Sequence, residues 1–133
     1  MRKLRLLVIE DEEIDKRAIA RNLKRLPLEV ELHWVRDGRP ALEQIRRLER
    51  PLVVLLDLGL LEMDGDEVLD ELGDIDALEG VRLYVFTASD HEDDRADATS
   101  HHVDGYITKQ SIDDSGEALR ELVLSAWREL EVP

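Results

Sequence analysis

Leu52-Val-Val-Leu-Leu-Asp57-Leu-Gly-Leu-Leu-Glu-Met-Asp-Gly65 is an apolar run that ends on a carboxylate. Five consecutive apolar residues after Pro51 suit a strand buried on both faces, as in a parallel sheet covered by helices. Asp57 then falls at the strand's carboxyl end. In open α/β sheets that end opens into the crevice where ligands bind, so an aspartate there is placed for chemistry more than for support. The plainer reading, an aspartate that only caps the next turn, leaves the residues at the other strand ends unexplained.

Outward from this strand, the chain alternates strand and helix. Leu4 to Ile9 reads as a buried first strand ending at Glu10-Asp11-Glu12-Glu13. From Ile14 the residues Ile14, Ala18, Ile19, Leu23 and Leu26 share a helical face, and Pro27 stops it. Val30 to Val35 is β-branched and aromatic enough for a second strand. Asp37-Gly38 makes a turn, Pro40 suits a first helical turn, and Ala41, Leu42, Ile45 and Leu48 line the second helix. Beyond Gly65, Asp66 to Leu72 reads as a third helix stopped by Gly73. Val81 to Phe86 is a fourth strand that delivers Thr87 and Ala88. The polar segment Asp90 to His102 is a fourth helix with a thin apolar face, and Val103 to Ile107 is a short fifth strand delivering Thr108 and Lys109. Leu119, Leu122, Val123, Ala126, Trp127 and Leu130 recur at helical spacing and make the last helix.

Five strand-helix pairs in 133 residues imply an α/β fold, a three-layer sandwich with helices on both faces of a parallel sheet. The flavodoxin-like doubly wound (βα)5 order 2-1-3-4-5 is expected. It gathers Glu10, Asp11, Asp57, Thr87 and Lys109 at one end of the sheet. Residues 1–133 are read as a single domain with no covalent output domain, a length that buries a real core.

Composition narrows the function classes. Hydrophobic residues make up 43% and charged residues 38%, which describes a globule with a heavily charged surface. The apolar runs are strand-sized, no secretory leader pattern opens the chain, and there are no cysteines, so a cytoplasmic protein off the membrane is expected. The net charge is −14, unevenly spread: residues 1–50 carry 13 basic and 10 acidic residues, whereas residues 51–133 carry 5 and 22. Such a surface repels nucleic acid, and direct binding to it is not expected. The basic residues Lys16, Arg17, Arg21, Lys24, Arg25, Arg46, Arg47 and Arg50 fall on the first two helices, as either a solvated surface or a docking face for an acidic partner.

Taken together, Glu10-Asp11, Asp57, Met63-Asp64-Gly65, Thr87-Ala88, Tyr106 and Lys109 give the chain a resemblance to the receiver domains of two-component response regulators. Each motif is common alone; the set, in this order and at strand ends, is specific and spans nearly the whole chain. The resemblance implies that Asp57 accepts a phosphoryl group from a sensor histidine kinase. It assigns Mg²⁺ to Asp11, Asp57 and the Gly59 carbonyl, with Glu10 near or water-bridged. The same resemblance makes Lys109 and Thr87 the clamp on the phosphoryl group and pairs Thr87 with Tyr106 as the switch. The chemistry is consistent with this: clustered carboxylates repel, a hard divalent cation takes oxygen ligands, and phosphoryl transfer is stabilised chiefly by electrostatics. The chain is then a signalling phosphoacceptor with slow self-hydrolysis, not an enzyme. Its signal leaves through a downstream protein, a phosphotransfer partner or a homodimer.

Other readings of the same residues fit less well. A phosphorylation-independent pseudo-receiver would be expected to lack the acceptor or the lysine, and both are present. Haloacid dehalogenase-like phosphohydrolases need a second aspartate two residues after the first, where this chain has Gly59. A flavin binder would want a Thr/Ser/Gly-rich loop where this chain has four acids. His33, His91, His101 and His102 form no metal-ligand spacing. Two positions depart from the family pattern. Leu61 and Gln110 stand where proline is usual, and the Lys109–Gln110 peptide is therefore either trans or retained as a strained cis bond.

Overall fold

The computed structural model describes residues 3–57, 79–87, 104–108 and 116–131. The central strand is β3, Leu52–Asp57, and every residue in it is buried. It lies between β1 (Leu4–Ile9) and β4 (Val81–Thr87), with β2 (Val30–Val35) outside β1 and β5 (Gly105–Thr108) outside β4. All four pairings are parallel, and the order β2-β1-β3-β4-β5 is the one the sequence leads one to expect.

Because strand side chains alternate between faces, the sheet carries two separate cores. Leu4, Leu6, Val8, Val53, Leu55 and Phe86 pack on one side with Ile19, Leu23, Leu119, Val123 and Trp127. These last come from α1 (Glu13–Leu23) and α3 (Glu117–Glu131). On the other side, Leu7, Ile9, Val54, Leu56, Leu83 and Val85 pack with Ala41, Leu42 and Ile45 of α2 (Gly38–Arg47). The three layers follow from this division. Among the described residues, no helix is long and apolar enough to cross a membrane.

Local chemistry sets the element ends. Asp37 caps α2, its Oδ1 accepting from the Gly38 amide at 2.6 Å. α1 stops at Leu23, three residues short of the expected Leu26. The Arg25 and Leu26 amides instead donate to Asn22 and Leu23 carbonyls at 3.1 Å, a tighter turn that still buries Leu26. β5 begins at Gly105, later than the expected Val103; just before it the Asp104 amide donates to the Leu83 carbonyl at 2.8 Å, while the Asp104 carboxylate accepts from the Leu83 amide at 2.7 Å and so takes a donor that a longer strand would use. Ile14 corrects the expected apolar face of α1, since it is 79% exposed. Ile14 lies in the first turn of α1. The expected helices at 66–72 and 90–102, Gly59, Leu61, Lys109 and the Lys109–Gln110 peptide lie outside the described residues.

Candidate functional site

Register brings the acidic side chains together. Ile9 pairs with Leu56, so Glu10, one residue further, is level with Asp57 on the neighbouring strand. Asp57 pairs in turn with Phe86, and Thr87 with Thr108, so the ends of β1, β3, β4 and β5 share one rim. Glu10 and Asp57 are almost completely buried, at 2% and 3% exposure, while Asp11 is half-buried. Carboxylate oxygens of Glu10, Asp11 and Asp57 all lie within 4.8 Å of one another.

The backbone holds this cluster in place. The Glu10 amide donates to the Val35 carbonyl of β2 at 3.0 Å, extending the β1–β2 ladder past Ile9. The Glu10 carboxylate then accepts from the Glu12 amide at 2.9 Å, which turns the chain from β1 towards α1. Three carboxylates this close repel one another, and burial raises the cost because the local dielectric is low. An oxygen-seeking divalent cation relieves both, so the donor set fits such an ion.

Of the other residues singled out in the sequence, Thr87 is the last residue of β4, one position past the partner of Asp57. Tyr106 lies in β5 opposite Val85 and is half-buried against the α2-side core. Ile14, which the sequence reading places on the apolar face of the first helix, instead stands exposed three residues after Asp11 in the first turn of α1.

A model of the response regulator receiver domain matches residues 6–122. The chain belongs to the response regulator receiver family. It is 34% identical over 123 residues to the probable methanogenesis regulatory protein FilR2 of Methanothrix harundinacea, covering 88% of this chain and 79% of that one. It is 37% identical over 110 residues to response regulator Rcp1 of Synechocystis, covering 78% and 75%. The crystal structure of the Mn(2+)-bound form of Rcp1 superposes with a TM-score of 0.71 at 29% identity, covering 98% and 96%. That of the phosphorylated cyanobacterial phytochrome response regulator RcpA gives 0.80 at 28%, covering 93% and 96%. For a receiver, the buried Glu10–Asp11–Asp57 pocket is a fitting phosphoacceptor site.

Proposed function

We propose that this receiver takes a phosphoryl group on Asp57 from a partner histidine kinase, with Mg²⁺ held by Asp11, Asp57 and the Gly59 carbonyl and with Glu10 close by. The observation that carries the reading is Asp57 itself, buried at the carboxyl end of the central strand within 4.8 Å of two further carboxylates. The Mn²⁺ of the Rcp1 structure and the phosphorylated state of RcpA support it by analogy.

In this reading, a carboxylate oxygen of Asp57 attacks phosphorus, the P–N bond to the donor imidazole breaks, and its electron pair returns to the ring nitrogen. Bound Mg²⁺ would supply charge neutralisation at the phosphoryl oxygens. Burial at the end of the central strand fixes the position of Asp57, and Glu10, tied to the Glu12 amide, holds the β1 side of the pocket. Lys109 adds a point charge and the Thr87 hydroxyl a hydrogen bond to the transferred group. Slow attack by water on phosphorus then breaks the P–O bond to Asp57 and returns the carboxylate and free phosphate. Thr87 and Tyr106 carry the state outward to a downstream protein, a phosphotransfer partner or a second copy, and 1–133 works as one domain in the cytoplasm.

Incubation with a small phosphodonor and Mg²⁺, read by intact mass, tests the proposal. The wild type gains one labile phosphoryl group. Labelling of Asp57→Asn to the same extent removes Asp57 as the acceptor.

A further inference from the structure

The basic stretch that runs from the last turn of α1 into the turn after it is not used by the phosphoryl chemistry proposed above. Arg21, Lys24 and Arg25 are exposed, and none forms an ion pair among the described residues, although Arg17 on the same helix pairs with Glu13 at 3.6 Å. Uncompensated cations are conspicuous in a chain whose net charge is −14.

Beside these cations runs an apolar groove of about 240 Å³ between α1 and the edge strand β2, lined by Ala20, Leu23, Lys24, Leu28, Val30 and Leu32. Trp34 continues the same face of β2, with the Lys16 ammonium 5.3 Å from its ring centroid. Every residue of β2 is only partly buried, and among the described residues no strand lies beyond it. The groove is thus apolar along its floor, with Lys24 on its wall and Lys16 over the neighbouring Trp34. Its size suits one large apolar side chain.

We propose that the α1–β2 groove docks a partner-protein segment presenting one large apolar side chain between carboxylates. Charge complementarity selects this occupant. The groove's free cations attract acids, whereas the molecule's net negative charge repels nucleic acid and anionic membranes, whose charge extends well beyond the groove. Burial of the apolar side chain supplies affinity, and the flanking carboxylates supply orientation and rate of encounter. The surface is reached from the sheet edge, not from the rim that holds Asp57. Docking here therefore does not depend on the phosphorylation reading.

The test uses the full chain and three acetylated, amidated peptides: Asp-Glu-Phe-Glu-Asp, its Phe-to-Ala analogue, and Lys-Arg-Phe-Arg-Lys. Amide shifts in NMR spectra and Trp34 fluorescence report binding. The acidic phenylalanine peptide should give saturable shifts confined to residues 16–34. Both analogues, and the variants Lys24→Glu and Leu28→Ala, should bind at least about tenfold more weakly. Circular dichroism and thermal melts confirm that the variants fold, and Asp57→Asn should bind as the wild type does. Shifts centred elsewhere, equal binding of the alanine or basic peptide, or no loss in Lys24→Glu would overturn the proposal. So would concentration-dependent self-association that moves the same amides without peptide, which would give the groove to a second copy.

Discussion

At the scale of single residues, position in the fold decides what an ordinary side chain does. Gly116 has a φ of +70°, and a Cβ built on it would collide with the Asn22 side chain of α1. Asn22 accepts from Arg120 Nη1 at 2.9 Å and donates to the Ala18 carbonyl at 2.9 Å, so it has little freedom to withdraw. Gly116→Ala should therefore cost about 1–3 kcal/mol in urea unfolding, and an unchanged midpoint would show that the α1–α3 contact yields easily. Tyr84 has its phenol pKa raised above the ordinary value of 10.0, first by burial and then by Asp104 and Glu129. The neutral phenol is thus favoured on folding: this stability is complete below pH 10.0 and is lost as pH climbs through the raised folded value. Alkaline unfolding titrations should show that decline in the wild type and a shallower one in Tyr84→Phe; identical slopes would remove Tyr84 as its source. Glu10, Asp11 and Asp57 were legible in the sequence because each ends or follows an unmistakable apolar strand. The exposure of Ile14 was not, because helical periodicity alone does not separate a first-turn residue left in solvent from one that packs.

At the scale of elements, the buried strands were the most legible because parallel strands covered on both faces need unbroken apolar runs. β1, β2 and β3 have the expected limits, and β4 runs one residue further, to Thr87. The boundaries that moved are those set by bonds that composition does not reveal. The Asp104 carboxylate takes the Leu83 amide just ahead of β5, and the close of α1 tightens after Leu23. Leu55 lies in β3 at 0% exposure, in the core beneath α1 and α3. Leu55→Ala should lower unfolding free energy by about 2–5 kcal/mol, and a loss much below that range would mean that the two helices close over the vacated volume.

At the scale of the whole molecule, the doubly wound order is what turns scattered acids into one site. Glu10 and Asp57 are 47 positions apart in sequence, yet the β1–β3 register sets them level at one rim. Chain order and strand ends made that convergence legible, whereas the half-buried state of Asp11 and the tie from Glu12 to Glu10 needed coordinates. A ligand that binds only the folded state stabilises it, so Mg²⁺ should raise the thermal midpoint of the wild type and much less that of Asp11→Ala; equal shifts would place the ion elsewhere. Whether Asp57 accepts the phosphoryl group is read by borohydride trapping, because borohydride reduces an acyl phosphate to the alcohol and so turns a labelled aspartate into homoserine. After phosphodonor and Mg²⁺, peptide sequencing should find homoserine at position 57 and at no other acid; homoserine at position 11, or at none, would rule out Asp57 as the acceptor.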